Sequence, residues 1–168
     1  MTFCDYDFKD VDLNRLDEVI DVLSNVVDDQ RFNINYWRDS IDQEVHCPED
    51  FHQCGTTACI AGWARVTRSW IETEGPLRPD DYYSPRYLSE NGSIAFGKFL
   101  NLPGNSHYEI CIPDLNDYVY FWGWDNERLN DYIKDPDKHG ATRDEAIELL
   151  VRIRERAKKQ LKVAPWIY

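Results

Sequence analysis

A run of small residues around two cysteines constrains the fold of this chain more than any other segment. Residues 54–64 read C-G-T-T-A-C-I-A-G-W-A. Cysteine next to glycine indicates a tight turn, and the alanines and glycine that follow allow a neighbouring element to approach closely. We therefore predict a helix from about residue 56 to residue 70, capped by Thr56, at the close-packed centre of the fold.

Two further helices follow from apolar periodicity and capping residues. Residues 12–29 carry Leu13, Leu16, Ile20, Leu23 and Val27 on one face, behind Asp12 as the N-cap. Near the C-terminus, Thr142 and Glu145 form a capping box ahead of an apolar stripe. The lysines and arginines of this last helix are expected to be solvated or to pair with the chain's own acids.

The rest of the chain completes a mainly α architecture. We predict helices over residues 93–100 and from Asp125 to before residue 135, a short helix that starts at Pro85, and a loop over residues 42–53. Aromatic residues make up 14% of the 168 residues, which is typical of a globular chain. The prediction is one compact domain, residues 1–168, of about five helices with room for a small β-hairpin.

The charge of the chain limits its partners. The net charge is −12, and residues 1–30 hold nine acids against two bases. Such a surface repels nucleic-acid backbones and anionic membranes, so we expect no direct nucleic-acid or membrane binding and a partner with a basic surface. The chain shows no signal peptide or apolar span, which predicts a cytoplasmic location with reduced cysteines.

The cysteines allow a catalytic interpretation. Cys54 and Cys59 lie near the predicted helix start, where the helix dipole favours a thiolate, and His107 and His139 are candidate bases. In the alternative interpretation both thiols are small buried apolar groups. The small residues continue for two turns beyond Cys59, which a nucleophile does not require, so packing is favoured over catalysis.

A zinc site is a further alternative. Cys47, His52, Cys54 and Cys59 carry ligand atoms that zinc accepts. Their spacing lacks the paired C-x2-C knuckles of common zinc modules, so neither a metal nor any other cofactor is predicted.

An aromatic run forms the candidate partner surface. It includes Tyr118, Tyr120, Trp122 and Trp124, flanked by Asp114 and Asp117. Tyrosine and tryptophan anchor protein interfaces, whereas aromatics that stack on nucleic-acid bases are usually accompanied by basic residues. The run has a strand-like composition, and either a partner surface or one face of a buried hairpin is consistent with it.

The cysteine segment also resembles a signature, C-G-T-x-x-C-x-A-G, of short proteins from bacteriophages and bacterial accessory regions. The similarity extends to an aromatic segment at residues 32–37, an alanine-containing helix at 95–102 and the Thr-capped turn at 142–150. The resemblance implies a phage-type setting and no mechanism.

Together these observations favour an acidic, non-enzymatic protein, encoded by a phage, that binds a host protein and inhibits or redirects it. A nucleic-acid mimic is one form of this hypothesis. The alternatives are a thiol-dependent hydrolase or transferase and a small zinc-stabilised module.

Overall fold

Two long helices from opposite ends of the chain, α1 (Leu13–Asn25) and α9 (Arg143–Val163), pack against each other. They run antiparallel, because Asp17 early in α1 meets Arg154 late in α9, while Asp29 beyond α1 meets Arg143 at the start of α9. This computed structural model describes residues 2–35, 41–53, 55–79 and 85–163, with the backbone alone for 85–91 and 163.

Seven further helices complete the described part of the chain. They are α2 (Pro48–Gln53), α3 (Ile60–Ala64), α4 (Arg68–Glu74), α5 (Pro85–Leu100), α6 (Ser106–Cys111), α7 (Leu115–Tyr120) and α8 (Asn126–Lys134). The described residues contain only two isolated β-bridges, Phe32 with Ala58 and Val45 with Leu77. The mainly α, compact single domain is confirmed, with more helices than predicted and no hairpin in these ranges. None of the described helices is both long and apolar enough to cross a membrane.

The predicted helix starts are confirmed where a carboxylate or hydroxyl caps them. Asp12 Oδ1 accepts the Arg15 N–H at 3.0 Å, and Asp125 Oδ1 accepts that of Arg128 at 2.8 Å. At α9, Thr142 and Glu145 exchange side-chain to main-chain bonds of 2.9 and 3.2 Å. These side chains satisfy N–H groups that have no partner inside the helix.

The predicted helix over residues 56–70 was wrong in extent. The chain is extended up to Cys59, because the Ala58 N–H donates to the Arg31 oxygen and the Ala58 oxygen accepts from Asn33 N–H, both at 3.1 Å. Helix α3 then covers only five residues, and α4 begins after a turn at Thr67. The Glu18 carboxylate of α1 accepts hydrogen bonds from the Ser69 N–H and hydroxyl, which supplies a cap for α4 from a distant segment.

The close packing of this segment is confirmed. Ala58, Ala61 and Ala64 are no more than 1% exposed, and α3 lies against α1, α5 and α6. Trp63 is fully buried, its indole N–H donates to the Arg31 oxygen at 2.9 Å, and its ring meets that of Phe51 edge-on at 4.8 Å. Small residues on α3 therefore let α1, α5 and α6 pack closely against it.

Three other local predictions need correction. Residues 48–53 form α2 rather than a loop, and the two helices expected at Pro85 and over 93–100 are one continuous helix, α5. The strand-like run at 118–124 begins inside α7, because Asp114 and Asp117 form a reciprocal capping box with two bonds of 2.9 Å. A local cap thus outweighs the β-propensity of the aromatic residues.

The N-terminal segment is bound along α9. The Gln160 side chain accepts the Phe8 N–H at 2.7 Å and donates to the Tyr6 oxygen at 3.1 Å. The rings of Phe3 and Tyr6 meet Phe121 with centroids 5.3 and 5.8 Å apart. An aromatic cluster and one amide therefore connect the two ends of the chain.

Arginine side chains join the loops to the helices. Every arginine whose side chain is described makes a hydrogen bond or ion pair within the chain. Seven of them donate to main-chain oxygens: Arg15, Arg31, Arg65, Arg128, Arg143, Arg152 and Arg156. The guanidinium group suits this role because it has five donors in a fixed geometry.

Among the described arginines, Arg128 makes the most contacts of this kind between a helix and a loop. Its guanidinium forms two bonds of 2.8 and 3.0 Å with Glu145 and donates to the His139 and Gly140 oxygens at 2.8 and 2.9 Å. It also stacks 3.9 Å from the centroid of the Trp124 ring. One side chain thereby holds the loop between α8 and α9.

We expect Arg128→Lys to lower the free energy of unfolding by about 2–4 kcal/mol, because an ammonium group cannot reproduce the forked contacts and leaves buried acceptors unsatisfied. The matched control is Arg68→Lys, since Arg68 makes one exposed pair with Glu72 and should cost less than about 0.5 kcal/mol. Urea unfolding measures both. Equal losses in the two variants would contradict the structural role of Arg128.

Candidate functional site

An acidic strip follows the contact between α1 and α9. We call it the acidic seam and define it by Asp17, Asp21, Asp29, Asp144 and Glu148. Asp21 lies one turn after Asp17, and Glu148 one turn after Asp144, so each pair shares a helix face. All five residues are exposed.

The ion pairs of the seam bury the cation and expose the acid. The Arg143 side chain is 23% exposed, against 79% for Asp29, to which it pairs at 3.3 Å. The Arg154 side chain is 27% exposed, against 53% for Asp17 at 3.1 Å. Arg143 also donates to the Val27 oxygen at 2.6 Å, which holds it beneath the surface. Arg143 and Arg154 of α9 thus pair with the chain's own acids and leave carboxylates facing the solvent.

A polar cavity of about 350 Å³ adjoins one end of the seam. Asp29, Arg143 and Asp144 line it from the seam, and Asn33 and Asn35 line it from the segment after the Asp29–Arg31 turn. The seam therefore leads into a concave region at the start of α9.

Most of the predicted aromatic surface lies in the core. Tyr118, Trp122 and Trp124 are 1%, 6% and 8% exposed, and Tyr118 stacks on Trp124 with centroids 3.9 Å apart. The Trp122 indole donates to the Glu109 oxygen at 2.8 Å. A partner could not reach these three rings in this conformation. Tyr120, at 59% exposed, is the member of the predicted set that faces the solvent.

Two apolar residues that sequence analysis did not single out are exposed beside Asp114. Ile112 and Leu115 are 38% and 47% exposed at the junction of α6 and α7. Asp114 is exposed between them, and Asp117 is half-buried in the first turn of α7. The sequence did carry a signal for this exposed apolar pair. Apolar residues lie on both sides of Pro113-Asp114, in a region without lysine or arginine.

A small pocket opens next to Ile112. Its volume is about 120 Å³, and its lining includes Ile34, Cys59, Ala61 and Cys111. The pocket lies between α3, α6 and the segment at residues 34–35.

The chemistry of the two buried thiols does not favour nucleophilic attack. Burial raises the pKa of Cys59, although the Gly62 and Ala61 main-chain N–H groups act in the opposite direction. Burial also raises the pKa of Cys111, and the charge of a neighbouring Cys59 thiolate would raise it further. Thiols with raised pKa values contain little of the reactive thiolate at neutral pH. Cys54, the other predicted nucleophile, lies outside the described residues.

The predicted bases do not pair with these thiols. His107 packs against Gly97 of α5, because a Cβ added to Gly97 would lie 2.9 Å from the His107 Cβ. Burial lowers the pKa of His107. His139 lies in the loop held by Arg128. Neither histidine hydrogen-bonds a described cysteine.

The described members of the predicted zinc set do not converge. No group of three metal-ligating side chains occurs among the described residues. His52 instead pairs with Asp28 at 3.1 Å, and Cys47 is half-buried at the start of α2.

A buried carboxyl beside the N-terminal segment also escaped sequence analysis. Glu109 is 9% exposed and hydrogen-bonds Tyr6, itself 4% exposed. Burial raises the pKa of Glu109, and the nearby charge of Asp117 raises it further, while the Tyr6 bond opposes both. Burial raises the pKa of Asp117 as well. No sequence pattern marks this cluster, because residues 6, 109 and 117 meet only through tertiary packing.

Comparison of the chain with family models, with curated proteins and with solved structures finds no match.

We expect Cys59 and Cys111 to react with iodoacetamide at least about tenfold more slowly than exposed Cys4 at about pH 7, because they are buried and mostly protonated. Peptide mapping by mass spectrometry follows each thiol separately, and urea-unfolded protein, in which the rates should converge, is the control. Faster reaction at Cys59 than at Cys4 would support the thiol-enzyme alternative.

We expect Glu109→Gln to gain stability relative to the wild type as the pH rises from the ordinary glutamate pKa towards neutrality. The raised pKa means that the folded wild type binds the Glu109 proton more tightly than the unfolded chain does, so wild-type stability falls as the pH rises through the interval between the two pKa values. One proton contributes at most about 1.4 kcal/mol per pH unit. Denaturant unfolding across this pH range gives the difference between the two proteins.

The control for that measurement is Glu127→Gln, which removes one carboxylate from the exposed surface of α8. A difference between Glu109→Gln and the wild type that stays constant with pH would show that Glu109 does not titrate as its burial indicates.

Proposed function

We propose that this chain is an acidic, non-enzymatic binding protein whose acidic seam docks on a basic surface of a host protein and inhibits or redirects it. The observation that carries the proposal is the arrangement of the seam's ion pairs, with arginines beneath and carboxylates outside. In such a salt bridge the arginine is paired within the chain, while the carboxylate faces the solvent. Its negative charge can therefore attract a basic surface of a partner.

The charge of the whole chain acts in the same direction. The net charge is −12, and the described arginines are all engaged within the chain. Complementary charge mainly accelerates encounter and fixes orientation, while buried contacts supply most of the affinity. The resemblance of residues 54–64 to phage and accessory-region proteins supports a bacterial host as the setting.

Two observations reduce the case for the thiol enzyme. The thiols of Cys59 and Cys111 are buried with raised pKa values, and neither His107 nor His139 hydrogen-bonds them. An acyl- or group-transfer enzyme needs a nucleophile and a base within hydrogen-bond reach. Binding through the surface is therefore the function that the described residues support best.

The proposal predicts that neutralising the seam weakens binding. The test variant combines Asp21→Asn, Asp29→Asn and Glu148→Gln. A matched variant removes the same charge elsewhere through Asp42→Asn, Glu49→Gln and Glu74→Gln. Three charges worth about 0.5 kcal/mol each should reduce partner retention about tenfold for the seam variant.

Quantitative pull-down from bacterial lysate measures retention by the wild type and both variants. Retention by the wild type should fall steeply towards about 0.5 M salt, since exposed charges are then screened. Competition by duplex DNA would identify the partner surface as a nucleic-acid-binding one. The proposal would be overturned if the wild type and the seam variant retained the partner equally, or if partner retention did not change with salt concentration.

A further inference from the structure

The small pocket beside Ile112 has the size of a receptor for one side chain. Pockets that hold drug-sized ligands measure roughly 300–1,000 Å³, and a buried apolar cavity of about 150 Å³ accommodates benzene. At about 120 Å³ this pocket suits an aliphatic group such as a leucine side chain. Tryptophan would not fit.

The walls of the pocket are chemically suited to such a group. Ile34, Ala61, Ile112 and Pro113 supply hydrocarbon, and the protonated thiols of Cys59 and Cys111 behave as small apolar groups. Asn35 is exposed and is the lining residue with a polar side-chain amide. An apolar side chain that enters this pocket leaves water without leaving a charged group buried.

Ile112 lines the pocket, and its exposed hydrocarbon forms an apolar rim. Leu115 is exposed nearby in sequence, on the other side of Asp114. Partner residues that cover such a rim exclude water from a central anchor, which is how interface hot spots are built.

The charge around the pocket selects the flanking residues of the occupant. Residues 99–127 contain five acids, including Asp114 and Asp117, and no lysine or arginine. None of the described residues that line the pocket is positively charged. A cation next to the anchor is attracted to Asp114, whereas an anion is repelled.

We propose that this pocket binds an aliphatic side chain of a partner peptide segment that carries an adjacent arginine or lysine facing Asp114. The inference rests on the proposed function, because it specifies the sequence that the basic partner presents at a second contact. The pocket supplies the anchor, and the acidic seam supplies long-range attraction.

Methyl and amide NMR of the full chain tests the proposal with three short probes of defined chemistry. They are N-acetyl-Leu-Arg-amide, N-acetyl-Leu-Glu-amide and N-acetyl-Gly-Arg-amide. The first should shift the Ile34, Ala61 and Ile112 methyl signals with a dissociation constant on the order of millimolar, as expected for a fragment. The other two should bind at least about threefold more weakly, because each lacks one of the two contacts.

Two variants assign the contacts. Asp114→Asn keeps an effective N-cap for α7 but removes the charge, so it should abolish the preference for Leu-Arg over Leu-Glu. Ile112→Ser should weaken both leucine probes. Leu161→Ser is the matched control. Leu161 is 48% exposed on α9, and its replacement removes an apolar group of similar size. Unchanged spectra elsewhere show that each variant is folded.

Several outcomes would overturn the inference. They are the absence of shifts at Ile34 and Ala61, equal binding of the Gly-Arg and Leu-Arg probes, and an unaltered preference in Asp114→Asn. Lysate pull-down separates this failure from that of the proposed function. If the seam variant loses its partner while Ile112→Ser retains it, the pocket inference fails and the proposed function stands. If Ile112→Ser loses its partner while the seam variant retains it, the proposed function fails instead.

Discussion

The bond from an arginine to a main-chain oxygen is the interaction on which most of this structure depends. Short helices joined by irregular segments leave many carbonyl groups without partners, and a buried carbonyl that loses water must be satisfied by the protein. A sheet would do this through its ladder, but the described residues have only two isolated bridges. Arg31, Arg128 and Arg143 show the substitute, since each ties a loop oxygen to a distant element.

This use of arginine also determines what the surface presents. The Arg143 guanidinium donates to the Val27 oxygen and is only 23% exposed, while the Asp29 carboxylate that pairs with it remains in water. This arrangement turns the chain's negative charge outward at Asp29 and Asp144, which both pair with Arg143. At Arg143 one side chain therefore both holds the segment after α1 and orients carboxylates of the acidic seam. Substitutions that free an arginine would change both.

Local signals predicted the parts of the fold that depend on local physics. The caps at Asp12, Asp125 and Thr142 were recognisable because a helix start needs a nearby acceptor, whatever surrounds it. The helix over residues 56–70 failed because the bridge between Phe32 and Ala58 is a contact between distant segments. The strand-like interpretation of the aromatic run failed for a related reason: a helix followed by a turn buries Phe121 together with Tyr118 and Trp122, whereas a strand would have placed residues 121 and 122 on opposite faces.

The sequence by itself determined the mainly α class, the central position of the small-residue segment and the excess of negative charge, because composition, capping and apolar periodicity are properties of neighbouring residues. Tertiary structure alone decided which charges face the solvent, how Tyr6 meets Glu109, and that Cys59, Cys111 and Ile112 share one pocket. Those arrangements depend on contacts between residues far apart in the chain, and no local pattern encodes the distances that packing creates.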